Sequence, residues 1–258
     1  MLPDSVMLAD WPQLPANFCA LTTLRSGGVS LPPFDDGHGF GGFNLADHVG
    51  DQHAHVQHNR RLLATVLPSE PQWLTQVHGT AVFNVGSPVP ESTIADAAYT
   101  NQVNQVCAVL TADCLPVLFC DPVNGVIAAA HAGWRGLLAG VLENTLDKML
   151  QSGAQEEHIL AWLGPAIGPL QFEVGAEVQQ QFVQHDALAV AAFKASKSQP
   201  DKFYGDIYQL ARQRLHAAGV DSITGGDHCT VSQAEKFYSY RRDGITGRMA
   251  SMIWMKPE

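Results

Sequence analysis

Basic residues are scarce in this chain of 258 residues: 15 Lys and Arg stand against 25 Asp and Glu, a formal charge of −10. A face basic enough for nucleic acid or an anionic membrane is therefore not expected. No apolar run approaches the ~18 residues of a membrane span. The start Met1-Leu2-Pro3-Asp4-Ser5 has neither the basic residues nor the apolar core of a secretory signal. Cysteines are few and scattered (19, 107, 114, 120 and 229), with no Cys-x-x-Cys. An odd, dispersed set suits a reducing compartment, where a lone thiol is a core residue, a ligand or a nucleophile. With no His-x-x-x-His either, the paired spacings of a structural zinc are missing. These absences suit a soluble cytoplasmic protein with length enough for a sizeable core, for which a monomer is the expectation.

What is present centres on Thr111-Ala112-Asp113-Cys114-Leu115-Pro116 and, further on, His131-Ala132-Gly133-Trp134-Arg135-Gly136. Between them, the apolar runs Leu115–Cys120 and Val126–Ala130 flank Asp121-Pro122-Val123-Asn124-Gly125, the pattern of a buried β-hairpin. If Cys120 pairs with Val126, Cys114 falls opposite position 132, beside His131. A thiol and an imidazole then share one end of two strands, next to the start of a helix over roughly 134–151. That helix start, carrying Arg135, is a candidate anion site, with a structural ion pair as the plainer alternative.

Elsewhere the chain reads as an opening strand or two over 1–20, then Arg25-Ser26-Gly27-Gly28, a glycine loop able to cradle an anion or simply a hairpin turn with a surface Arg. A long Pro/Gly/Phe loop covers 31–43, and a helix over roughly 51–67 follows. His48, His53, His55 and His58 cluster there, and a solvated helix face is their plain reading. A short strand ends in His78-Gly79, another covers 80–85, and a Pro/Ser-rich loop covers 86–95. Strands are expected at 106–111, 159–163 and 250–255, helices at about 175–185 and 204–218, and a less ordered connector at 186–202. With no linker or repeat, residues 1–258 read as one intimately mixed α+β domain.

Three isolated residues at strand ends, His78, Cys114 and His131, would make a catalytic Cys/His/His zinc site with one open position. The rival on the same residues is a metal-free pair in which His131 lowers the pKa of a nucleophilic Cys114, as in an amidase or hydrolase.

Gln76-Val77-His78-Gly79, Thr111–Val117, His131–Gly136, Gly164-Pro165-Ala166-Ile167-Gly168-Pro169 and Tyr240-Arg241-Arg242-Asp243-Gly244 with Gly247-Arg248-Met249 resemble the YfiH-like laccase-domain family. Arg25–Ser30 and the segment Asn44–Asp51 match it too, so the resemblance spans essentially the whole chain. It implies a four-layer α/β/β/α sandwich and maps His78, Cys114 and His131 onto the family's zinc ligands. It implies zinc-dependent purine nucleoside phosphorylase activity, converting adenosine, inosine or methylthioadenosine to base and ribose 1-phosphate, together with adenosine deamination. A zinc with one open site lowers the pKa of its water toward ~7, which suits attack at C6 of adenine. Phosphorolysis needs a phosphate cradle, for which Arg25, Asn44, Arg135 and Arg241 are the candidates. Copper-dependent polyphenol oxidation is also attributed to the family, but multicopper chemistry needs several copper sites, and three ligands beside a wet histidine-rich helix do not supply them.

Overall fold

The strands Leu115–Asp121 and Val126–Ala132 are buried along their whole length, as their unbroken apolar runs require of strands covered on both faces. They form the middle of a six-stranded mixed sheet in the computed structural model, which describes residues 5–87, 93–197 and 199–257. Its order is Ser222–Gly225, Leu160–Leu163, Leu115–Asp121, Val126–Ala132, Ala97–Thr100, Val82–Asn84, with parallel pairing at both margins and antiparallel pairing between. A four-stranded antiparallel sheet runs Val6–Leu8, Phe18–Thr23, Met249–Met255, Val106–Thr111.

Side-chain alternation divides the core. Cys107, Val109, Ile253 and Met255 of the smaller sheet meet Leu118, Cys120, Ile127 and Ala129 of the larger. Their neighbours Val106, Ala108, Met252 and Trp254 point the other way, onto Leu63 of the helix His53–Ala64, as the two-residue period of a strand dictates. Likewise Leu115, Val117 and Phe119 face the helices Val141–Gln151, Ala176–His185 and Ile207–Ala217. Burial of each such large side chain contributes about 1.5–3 kcal/mol. The architecture is mixed α+β.

Several expectations are corrected. The hairpin pairs Asp121 with Val126 and Cys120 with Ile127, one residue out from the expected register. Asp121 closes the turn itself, its Oδ1 accepting from the N–H groups of Val123 and Asn124, both at 2.9 Å, so the strand runs on to include it. The helix expected over 134–151 is two, Trp134–Ala139 and Val141–Gln151, broken at Gly140 with φ 100°. A left-handed glycine ends a helix by satisfying its last carbonyls, here those of Gly136 and Leu137. The connector 186–202 holds a short 3₁₀ turn, Ala187–Ala192, and the strand Phe193–Ala195, which with Lys202–Gly205 and Glu173–Gly175 makes a third small sheet. The next helix therefore starts at Ile207, capped by Asp206 accepting from Gln209 N. Residues 71–79 form a loop rather than a strand. Of the expected loop at 86–95, residues 88–92 lie outside the described ones.

Candidate active site

Between Thr111 and Leu115 the chain leaves one sheet and enters the other. The corner is held by Asp113 at φ 88°, a conformation that Asp tolerates better than most side chains. Its Oδ1 accepts from Thr230 Oγ1 at 2.5 Å, its Oδ2 from Arg241 N at 2.6 Å, and its carbonyl from Ile167 N at 2.9 Å. With the corner fixed from three sides, Cys114 is presented at the mouth of the hairpin.

His131 lies on the neighbouring strand, 3 % exposed. His78 arrives from its loop at φ 60°, and one carboxylate accounts for that geometry. Asp96, fully buried, accepts from the backbone N–H groups of Val77, His78 and Gly79 at 3.1, 2.9 and 2.7 Å. The same carboxylate lies 2.8 Å from His131 Nδ1. Gln76 ties the loop to the sheet edge, donating to Leu110 O at 2.8 Å and accepting from Leu110 N at 2.7 Å. Left-handed backbone at a non-glycine residue persists only where the surroundings over-determine it, and here they do.

The ligand atoms of His78, Cys114 and His131 all lie within 4.8 Å of one another, with Cys114 Sγ 3.6 Å from His78 Nε2. Gly133 makes the room: a Cβ there would stand 2.6 Å from His78 Cδ2 and 3.0 Å from Cys114 Sγ. Burial alone would raise the thiol's pKa, but the His131 charge and hydrogen bonds from both imidazoles outweigh it and bring Cys114 down to about 6. Burial opposes the charge on His131 too, yet Cys114 and Asp96 lift it to about 9. Asp96 itself is held below the usual range, because the His131 and backbone hydrogen bonds overcome its burial.

This donor set fits a catalytic metal. It offers a thiolate and two imidazoles, with one imidazole oriented through its far nitrogen by a carboxylate, the usual support of a metal-bound histidine. It equally fits a thiolate–imidazolium pair backed by Asp96.

The three donors open into a cavity of about 560 Å³, within the range of small-molecule sites. Trp134, Ile167, Phe172 and Ile207 supply apolar walls; His48, Gln76, Arg135, Arg241 and Arg248 supply polar ones. Arg135 is exposed and stacks on Trp134, 4.5 Å from the ring centroid. Arg241 is exposed, and its Nη1 donates to the carbonyls of Gln171 and Glu173. The helix behind Arg135 is only Trp134–Ala139, so little of the expected dipole stands behind it.

Arg25 and Asn44 do not border the cavity. Arg25 is 6 % exposed, donates to Ala234 O and Asp35 O, and stacks on Tyr238. Asn44 is fully buried and braces Ala46, Asp51 and the Arg248 N–H. Neither is brought to the three donors, although Asn44 anchors a residue that does reach the cavity. His53 and His58 are exposed on their helix, as a solvated face would have them, whereas His48 lines the cavity. Sequence reasoning also missed Asp96, Gln76, Trp134 and Arg248. For Asp96 a lone carboxylate at the foot of an otherwise apolar strand was the available signal.

Residues 19–256 match the family described as multi-copper polyphenol oxidoreductase laccase. The chain is 52% identical to the Escherichia coli (strain K12) protein named purine nucleoside phosphorylase YfiH, over 98% of this chain and 99% of that one. It is 50% identical to the purine nucleoside phosphorylase of Haemophilus influenzae, over 94% and 96%. Among solved structures, a Neisseria meningitidis protein superposes with a TM-score of 0.89 at 43% identity, covering 98% of this chain and 100% of that one. YlmD from Geobacillus stearothermophilus does so with 0.80 at 30% identity, covering 94% and 93%.

Proposed function

Since the chain belongs to the family described as multi-copper polyphenol oxidoreductase laccase, whose close relatives carry the name purine nucleoside phosphorylase, we propose that it is a zinc-dependent purine nucleoside phosphorylase. Adenosine, inosine and methylthioadenosine are its substrates, phosphate the second reactant, and base plus ribose 1-phosphate the products. Adenosine deamination is a second activity of the same centre. The reading includes a cytoplasmic monomer without nucleic-acid or membrane partners. Consistent with it, no helix among the described residues is long and apolar enough to cross a membrane.

The observation that carries this reading is three metal donors, one position short of a tetrahedron, opening into a cavity walled by aromatic and guanidinium groups. His78, Cys114 and His131 would hold the zinc, which when bound supplies Lewis-acid polarisation of an oxygen in its open position. Asp96 Oδ1 accepts a hydrogen bond from His131 Nδ1–H, which would leave Nε2 free to hold the metal. Trp134 and Phe172 offer flat apolar surface for a purine. Arg135 and Arg241 line the cavity, where either would contact phosphate.

A second reading rests on a specific observation: Cys114, His131 and Asp96 also form a thiol–imidazole–carboxylate series with the thiol pKa near 6, the arrangement of a cysteine hydrolase. Copper-dependent polyphenol oxidation has less support, since the described residues gather one group of three such donors.

The deciding experiment is metal analysis with inosine and adenosine turnover, in phosphate and in phosphate-free buffer, with and without chelator. About one zinc per chain, with phosphate-dependent base release that the chelator abolishes, is the expected result. A metal-free protein without phosphate dependence overturns the reading. A Cys114→Ser variant should then lose thiol labelling without any change in metal content.

A further inference from the structure

Arg248 is a half-buried guanidinium that forms no close ion pair among the described residues. Arg60, Arg214 and Arg242, also half-buried, each pair with a carboxylate, Asp47, Glu143 and Asp243 respectively. Arg248 has no carboxylate oxygen within 4.0 Å among the described residues. Its Nη1 donates to the carbonyls of Thr246 and Gly247 at 2.9 and 3.0 Å. Arg25 and Arg212 are likewise held by carbonyls alone, but neither borders the cavity and Arg248 does. Asp113, whose oxygens accept from Thr230 Oγ1 and the Arg241 N–H, and Cys114 act on this charge only from beyond ion-pair distance. A charge partly withdrawn from water without a close ion pair is costly, so a guanidinium bordering a ligand cavity with one edge open is suited to an anion.

Its placement is fixed from both the main chain and the side chain. The Arg248 N–H is bonded to fully buried Asn44 Oδ1 at 3.0 Å, and the two carbonyls fix one edge of the fork. Nε and Nη2 have no protein partner among the described residues. Those two N–H directions form the edge that grips a tetrahedral oxyanion bidentately. Arg135 and Arg241, by contrast, are exposed.

We propose that Arg248 is the seat of free orthophosphate in this cavity, a binding residue that Asn44 positions through the backbone. This inference rests on the phosphorolytic reading and identifies where its second reactant sits. In that reaction a phosphate oxygen bonds to C1′ of the sugar as the C1′–N9 bond breaks. The electron pair leaves with the purine, and the proton of dihydrogen phosphate passes to the base.

The test uses the full-length, zinc-loaded protein with saturating inosine and varied phosphate. Arg248→Met should raise KM for phosphate about 10–100-fold, the scale of a lost charged hydrogen bond, with a smaller effect on kcat. Arg248→Lys, which keeps the charge but not the fork, should fall between. Orthophosphate should raise the wild-type Tm without inosine present, and Arg248→Met should abolish that rise. Unchanged phosphate KM and unchanged Tm response in the variants overturn the proposal. If Arg248→Met fails to fold, Arg248→Lys decides on the same two readouts. If inosine 5′-monophosphate alone stabilises in an Arg248-dependent way, the seat belongs to a phosphate ester, and free orthophosphate is overturned. If wild-type turnover ignores phosphate while orthophosphate still binds through Arg248, the phosphorolytic reading falls and the anion seat stands.

Discussion

Asp96 and His131 meet at 2.8 Å, Oδ1 to Nδ1, on adjacent segments of the larger sheet. The carboxylate that makes this contact also carries the loop of His78 on its two oxygens. Two of the three donors therefore depend on one buried side chain that is not itself a donor.

Replacing Asp96 with Asn keeps the shape but turns an amide N–H₂ toward backbone donors. Zinc affinity should fall by about 10–100-fold, the usual cost of losing such a supporting group. Competition against a chromophoric chelator measures it; unchanged affinity would show that the His78 loop holds itself.

Gly133→Ala places a methyl group against His78 and Cys114. The glycine's own φ is −61°, so the effect is steric and not conformational. Zinc stoichiometry should drop while far-UV circular dichroism stays as in the wild type. A fully loaded variant would mean that the donors sit further apart in solution.

The pH dependence of metal binding follows from the coupled pair. Cys114 is deprotonated above about 6 and His131 keeps its proton up to about 9. Between those values zinc displaces one proton, so apparent affinity should climb about tenfold per pH unit and level off above about 9. Stability of the metal-free protein behaves differently. The raised His131 pKa contributes stability that is complete below 6.5 and lost as pH rises through about 9. The depressed Cys114 pKa contributes stability that is complete above 9.0 and lost as pH falls through about 6. Over the shared window these slopes oppose each other, and the pair should leave Tm nearly flat. Zinc titrations and thermal melts at several pH values check both statements.

Arg25→Met should cost about 1–3 kcal/mol of stability, because the carbonyls of half-buried Ala234 and buried Asp35 lose their donor. Its phosphate KM should match the wild type. A phosphate defect at unchanged Tm would return Arg25 to the binding site.

The sequence carried the hairpin and the meeting of Cys114 with His131, because short apolar runs around a turn allow little else. It did not carry the register, which rests on how Asp121 folds its carboxylate over the turn. Nor did it show the break at Gly140, where apolar spacing continues across a backbone that reverses its φ. The glycine loop at Arg25 looked like an anion cradle because its partners, Ala234 and Tyr238, lie almost a whole chain away. Asp96 and Arg248 were hidden for the same reason. Each is defined by who is absent or present across the fold, and periodicity reports only near neighbours.

The corner between the sheets also orders events in time. Cys114 and His131 come together as soon as the hairpin of Leu115–Asp121 and Val126–Ala132 closes, a local step. His78 joins only when Ala97–Thr100 docks alongside and brings Asp96 with it, a contact that must wait for longer loops to close. If local pairing precedes docking, the folding chain would hold two of the three donors together before the third arrives. On the metal-bound reading, firm capture of an ion would require the sheet to be complete, and an ion that met only two donors would be free to leave.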